Sequence, residues 1–328
     1  GLTLAHNRQA FDRIRLCPEP LADLSAAHTR QSLLGQSLDW PLLLAPVAYQ
    51  QLAHPEGELA TVRAAMAMRT GMVVSTLSSC TLEEIAQAAQ AAAQELERSG
   101  PLWFQLYQQP TREHTLQLIR RAEDVGYQAL VWTVDAHIKR SSYPLPPGVE
   151  AVNLRGIPQQ RQTGDLMSEH ILFGSELARG APTWDDLVWL RQQTRLPLIV
   201  KGLLSARAAA QVVELGADAI VVSNHGGRVL DTAVSPLEVL PAIRAATPAH
   251  IPLLMDGGVR QGTDVLKAIA LGASAVLLGR PQMHALAVAG MLGVAHMLYL
   301  LRAELELAMA QTGCASLDQI GSGLLTTC

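Results

Sequence analysis

The sequence predicts an α/β protein built as a single closed (β/α)8 TIM barrel, with a long loop after its fourth strand. Three observations lead there. Eight short apolar runs recur along the 328 residues, most followed by a longer amphipathic stretch. Several runs are apolar on successive residues (Leu42–Leu44, Ile220–Val222), as expected of parallel strands buried on both faces. No dinucleotide-binding glycine fingerprint follows the first run, which weighs against a doubly wound sheet. No second domain is visible, so residues 1–328 read as one domain opened by an N-terminal segment, 1–40.

The strand candidates are Pro41–Val47, Met72–Thr76, Leu102–Tyr107, Ala129–Asp135, Pro197–Gly202, Ala219–Asn224, Pro252–Gly257 and Ala275–Arg280. Helices are expected near 57–70, 81–98, 111–126, 183–194, 205–215, 235–246 and 261–271, then a long one from about 282 to 310. In 261–271, Val265, Ala268, Ile269 and Gly272 fall at i, i+3, i+4 and i+7, so one face is apolar or small. The rhythm breaks at 136–182, a stretch punctuated by Pro144, Pro146, Pro147, Gly148, Gly156 and Pro158. A loop this long on the C-terminal face of a barrel reads as an active-site lid.

Composition narrows the function classes. Hydrophobic residues make up 49% and aromatics only 4%, so the core must be aliphatic. A net charge of −4 with no basic block argues against nucleic acid. Cys17, Cys80, Cys314 and Cys328 are dispersed, neither a disulfide framework nor a zinc site, which fits a reducing, cytoplasmic compartment. No secretory signal is recognised, and no segment approaches the ~20 apolar residues of a membrane span. A soluble protein without metal or membrane is the expectation.

Polar residues at the C-terminal strand ends are where a barrel keeps its site. Those ends supply Ser75, Gln105 with Tyr107, Thr133 with Asp135, Lys201, Ser223 with His225, Asp256, and Gly279 with Arg280. The stretch Ser223-Asn-His-Gly-Gly-Arg-Val-Leu-Asp231 offers a titratable imidazole, glycines that admit close backbone approach, and a guanidinium suited to a carboxylate. A tight turn with a capping histidine accounts for His225 alone equally well. Asp256-Gly-Gly-Val-Arg260 and Gly279-Arg280 follow strands seven and eight, where barrels bind phosphate. Lys201 ends an apolar strand and is read as a cation aimed into the site.

With these blocks in view, the chain resembles the FMN-dependent 2-hydroxy-acid oxidase and dehydrogenase family, which includes glycolate oxidase, lactate oxidase, mandelate dehydrogenase and flavocytochrome b2. The similarity runs from Thr3-Leu-Ala-His-Asn-Arg8 to the end, through Ala45-Pro-Val-Ala48, Ala53-His-Pro-Glu-Gly-Glu58, Phe104-Gln-Leu-Tyr107, Thr133-Val-Asp135, Val200-Lys-Gly202 and the two motifs above. The resemblance implies that FMN is the cofactor and that an L-2-hydroxy acid is oxidised to the 2-oxo acid. It implies that His225 takes the substrate proton, Asp135 pairs with it, Arg228 holds the carboxylate, Tyr107 binds the substrate oxygen and Lys201 stabilises reduced flavin. Ser75, Gln105, Thr133 and Ser223, with Ala45, Pro46, Val47 and Ala48, would meet the flavin ring. Asp256, Gly258, Arg260, Gly279 and Arg280 would hold ribityl and phosphate. It further implies O2, a quinone or a cytochrome as electron acceptor, and a homo-oligomer, a tetramer in this family.

The sequence departs from that pattern in places. The family's N-terminal tyrosine precedes the point where this sequence starts. His137 stands where the family has a proline, and Ser142 stands at the spacing of a carboxylate-binding arginine, leaving Arg140 or Lys139 to serve. Tyr49 replaces a common methionine, and Leu77 replaces a common tryptophan, a swap that opens volume and favours a larger, mandelate-like acid. Trp132 reads as barrel packing and His54 as a loop organiser. Two rival readings are an FMN barrel of isomerase-like chemistry and a non-catalytic FMN-binding homologue.

Overall fold

The computed structural model describes residues 1–137, 145–158 and 172–327. Eight parallel strands close a barrel: β1 (Leu42–Leu44), β2 (Gly71–Ser75), β3 (Leu102–Leu106), β4 (Leu130–Thr133), β5 (Leu198–Leu203), β6 (Ala219–Val222), β7 (Leu253–Met255) and β8 (Ala275–Leu278). Each pairs with its sequence neighbour, and β8 returns to β1 through Val276 against Leu42 and Leu278 against Leu44. The ladders end one to three residues short of most expected C-terminal limits, and Ser75 still pairs with Gln105 and Thr133 with Lys201.

A period of two sorts the strand residues. Leu43, Val73, Trp103, Val131, Ile199, Val221, Leu254 and Leu277 fill the interior. Their neighbours, among them Val74, Phe104, Trp132, Val200 and Met255, pack outward against the helices. Trp132 is thus packing, as expected. An antiparallel hairpin, Gln31–Leu33 with Gln36–Leu38, plugs the N-terminal end, adding Leu33 and Leu38 to the interior core. Trp103 Nε1 donates to Gln36 Oε1 at 2.8 Å, so the buried indole is satisfied by the plug.

Around the barrel run α2 (Gly57–Ala67), α3 (Leu82–Leu96), α4 (Arg112–Asp124), α5 (Trp184–Gln193), α6 (Ala206–Glu214), α7 (Pro236–Ala246), α8 (Gly262–Ala270) and α9 (Arg280–Gln311), after a first helix α1 (Leu2–Asp12). Thr81, Thr111, Thr183 and Ser205 cap helices by accepting from the backbone N–H three residues on. Those N-termini lie at the strands' C-terminal end, so the positive ends of the helix dipoles face the site.

Two segments carry more structure than expected, and one expectation is corrected. The N-terminal segment 1–40 forms α1, the hairpin and a strand, Ile14–Leu16, that pairs antiparallel with Leu325–Thr327 outside the barrel. Helix α8 is buried on nearly all sides, Asp264 and Lys267 included, because α9 packs on its outer side and the α1 region supplies partners for its polar groups. One segment does have a membrane span's length and composition: α9 has 32 residues and an 18-residue window of mean hydropathy 1.7. One side of α9 (Leu286, Val294, Leu298, Leu301, Leu305) belongs to the core, and it kinks at Ala289–Gly290, where Gly290 packs against the His54 ring.

Only parts of the expected lid, 136–182, lie within the described residues. Its stretch 145–158 is pinned by buried Asn153. The Asn153 side chain accepts from Leu82 N at 3.0 Å and donates to Ser78 Oγ at 2.8 Å, joining the loop to the start of α3. A short helix, Glu176–Arg179, follows. Arg140, Lys139 and Ser142 lie outside the described residues.

Candidate active site

The interior period of two runs on to the C-terminal strand ends and lays a polar floor. Two residues beyond Val73, Trp103, Val131, Ile199, Val221 and Leu254 come Ser75, Gln105, Thr133, Lys201, Ser223 and Asp256, all buried. Gln105 Oε1 accepts from Ser75 Oγ (3.2 Å) and Thr76 N (3.3 Å), which fixes the amide and leaves Nε2 as a buried donor with no partner among the described residues. Thr133 Oγ1 and Asp256 Oδ1 are likewise buried and unpartnered there. Lys201 Nζ lies 2.7 Å from Asp256 Oδ2 and donates to Ser223 Oγ at 2.8 Å. The ammonium is therefore held between β6 and β7 at the centre of the floor.

His225 stands at the rim with φ 55°, a left-handed conformation uncommon outside glycine. Its backbone N–H donates to Ser223 Oγ at 3.0 Å, and its Nδ1 lies 3.0 Å from Asp135 Oδ1. Burial pushes the imidazole below its ordinary range; the Asp135 hydrogen bond opposes this, and the Lys201 charge adds to it. Burial also pushes the Asp135 carboxyl up, but the His225 hydrogen bond and Lys201 outweigh it and hold it below the usual value. An ionised Asp135 only accepts, so Nδ1 carries the hydrogen and Nε2 is left as a base. Gly202, at a break in the β5 register, is where the carboxylate crosses: a Cβ there would lie 2.6 Å from Asp135 Cγ.

Tyr107, half-buried at the cavity wall, is raised well above the usual phenol range by desolvation, with Asp135 adding and Arg228 opposing, so it stays a neutral donor. Arg228 is exposed at the same cavity's edge. Tyr49 N donates to Leu77 O at 3.0 Å, so the two substitutions that depart from the family pattern adjoin each other. On the other side, Gly258, Arg260, Gly279 and Arg280 line the cavity, and Arg280 Nη2 donates to Gly226 O at 2.8 Å. Burial and then the charge of Arg260 lower Arg280, with Arg228 adding, which marks an excess of positive charge that an anion would relieve.

The cavity wall includes Ala45, Pro46 and Val47 together with Tyr107, Thr133, Lys201, His225, Arg228 and Asp256. Ala48, Ser75, Gln105, Asp135 and Ser223 are not part of that wall. Ser223 Oγ accepts from Lys201 Nζ and from the His225 backbone N–H, which ties the lysine to the loop bearing His225. Sequence reading missed Leu277 and Met283, which also line the cavity. Met283 lies three residues into α9 from Arg280, a spacing that marks it as sharing that face. A larger hollow of about 530 Å³, bordered by Arg120, Glu123 and Arg195, opens at the opposite end, just before β5.

These residues fit FMN. Unpartnered polar atoms on Gln105, Thr133 and Asp256 await hydrogen-bonding groups, a buried lysine sits centrally, and a glycine-rich double loop with two guanidiniums suits a phosphate dianion.

Comparison with known proteins agrees. Residues 1–327 match the FMN-dependent dehydrogenase family. An L-lactate oxidase of Alicycliphilus denitrificans is 51% identical over 99% of this chain and 88% of its own. A 4-hydroxymandelate oxidase of Amycolatopsis orientalis is 43% identical over 96% of this chain and 87% of its own. A crystal structure of mandelate oxidase with (S)-2-phenylpropionate superposes with a TM-score of 0.86 at 40% identity, covering 100% of this chain and 90% of that one. With a whole-chain family match on a barrel whose floor is built for a flavin, the chain belongs to the FMN-dependent dehydrogenase family and takes FMN as its cofactor.

Proposed function

We propose that this protein oxidises an L-2-hydroxy acid to the 2-oxo acid. The observation that carries the reading is the His225–Asp135 pair, 3.0 Å apart, with His225 lining one cavity together with Tyr107 and Arg228. Bound FMN supplies the two-electron acceptor. Arg228 grips the substrate carboxylate by its fork of donors, with Arg140 as its expected partner from the loop. Tyr107 donates to a substrate oxygen. His225 Nε2 receives the substrate proton, and Asp135 stabilises the imidazolium that results. Lys201, kept dry and paired with Asp256, presents positive charge at the floor.

The relatives named as oxidases support O2 as the electron acceptor, ahead of a quinone or a cytochrome. Leu77 beside Tyr49 supports an acid larger than glycolate, extending to aryl acids of the mandelate kind. The isomerase-like and non-catalytic alternatives are not supported, since relatives over the whole chain are named oxidases. A homo-oligomer, a tetramer by resemblance, is supported by the exposed apolar stripe Val288, Leu292, Tyr299, Leu300 and Leu307 on α9. Free Cys17, Cys80 and Cys314 are consistent with a cytoplasmic location.

The test is anaerobic mixing with lactate, glycolate and mandelate while flavin absorbance is followed near ~450 nm. Bleaching by an L-2-hydroxy acid, reversed by air, is expected. FMN-loaded protein that no such acid bleaches overturns the reading.

A further inference from the structure

Helix α1 touches both loops that make the site. Thr3, Asn7, Ala10 and Phe11 form its buried face, at i, i+4, i+7 and i+8. Thr3 N donates to Asp231 Oδ1 at 2.8 Å, and Thr3 Oγ1 accepts from Ala233 N at 3.0 Å. Asn7 and Asn224 exchange side-chain hydrogen bonds, Nδ2 to Oδ1 in each direction, at 2.9 and 2.7 Å. Asn224 immediately precedes His225. It also accepts from Gly227 N (3.1 Å) and donates to Val234 O (3.0 Å), so it is the knot of the base loop.

The next residue turns the other way. Arg8 Nη1 donates to Gly258 O at 3.0 Å, and its Nη2 to Asp264 Oδ1 at 2.9 Å. Asp264 Oδ2 accepts the backbone N–H groups of Arg260 (2.8 Å) and Gln261 (3.0 Å). The glycines show how close the helix lies. A Cβ on Gly227 would stand 2.8 Å from Leu4 N, and one on Gly258 2.3 Å from Asn7 O. Neither loop tolerates a side chain there while α1 is seated.

We propose that Asn7 and Arg8 are positioning residues through which α1 couples the FMN phosphate loop to the loop bearing His225, so that bound FMN orders the base. The inference rests on the functional reading above. Arg8 and Asp264 hold the amides beside the phosphate, Asn7 holds Asn224, and the two adjacent residues share one rigid turn of helix. Ordering on one side therefore lowers the entropic cost of ordering on the other.

Hydrogen exchange on the FMN-loaded protein and on protein stripped of FMN tests this. FMN should protect residues 223–231 and 2–12 together, with one dependence on FMN concentration. In Asn7→Ala saturated with FMN, the protection of 223–231 should be lost, and kcat should fall by about tenfold to a hundredfold with little change in KM, as for a misplaced base. Asn7→Ser, gentler on folding, should show the same in smaller measure, and Arg8→Lys should weaken FMN binding. Protection of 223–231 by FMN with 2–12 unchanged overturns the proposal, as does undiminished protection in Asn7→Ala. If the wild-type protein binds FMN and gains protection in neither segment, the proposal also fails. Failure to bind FMN at all would instead remove the functional reading beneath it.

Discussion

Asp135 Oδ1 lies 3.0 Å from His225 Nδ1, and the carboxylate crosses β5 at Gly202, where no Cβ intervenes. One residue from strand four and one from strand six are thereby joined into a base whose second nitrogen faces the cavity. The pairing fixes the tautomer before substrate arrives.

The first prediction concerns pH. His225 is lowered from 6.5, chiefly by burial, so the neutral base persists below the ordinary histidine range. The acid limb of kcat/KM should therefore fall below pH 6.5, activity being lost as pH drops through the lowered value. Asp135→Asn removes a contribution that raises His225; it should move the limb lower still and cut kcat by about 10²–10⁴-fold. His225→Gln should keep FMN and bleach at a rate reduced by a similar factor. Stopped-flow reduction across pH checks both, and full activity in the glutamine variant would remove the base assignment.

Arg260 and Arg280 should separate by their second contacts. Loss of either charge-assisted contact to phosphate costs about 1.5–3 kcal/mol, or roughly 10- to 150-fold in FMN Kd. Arg280 also donates to Gly226 O, next to His225, so Arg280→Ala should lower kcat even at saturating FMN. Arg260→Ala should not. Fluorescence titration of FMN followed by turnover at saturation distinguishes them.

Substrate size should be set at Leu77. Refilling the space with Leu77→Trp is expected to lower kcat/KM for mandelate by about tenfold or more relative to lactate, an overpacking effect. A competition between the two acids reads the ratio directly. No change in that ratio would place the ring's pocket elsewhere.

Glu58 is a buried carboxylate whose Oε1 accepts from Gln50 N (3.1 Å) and Ser79 N (2.9 Å), fixing the two loops that carry Tyr49 and Leu77. Glu58→Ala would orphan both amides, a loss of about 2–4 kcal/mol read by denaturant unfolding. Burial raises the Glu58 carboxyl above 4.5, so its stabilising effect is full below that pH and declines as pH rises through the raised value. Glu58→Gln keeps the accepting oxygen and should cost far less at neutral pH.

The sequence by itself determined the barrel, because eight apolar strand runs alternating with amphipathic helices have few ways to bury both faces. It also exposed the polar floor: Ser75, Gln105, Thr133, Lys201 and Asp256 sit at strand ends, and the inward period of two is a local property of the chain. Tertiary structure alone decided the rest. The reciprocal Asn7–Asn224 pair spans 217 residues, and the Arg8–Asp264 pair 256. Nothing local marks such partners, since polar residues on a short helix read as solvent-facing until a loop covers them. The same holds for Ser223, whose hydroxyl accepts from Lys201 and His225, partners that no local pattern marks. Periodicity states which way a side chain points; only the closed barrel states what it meets there.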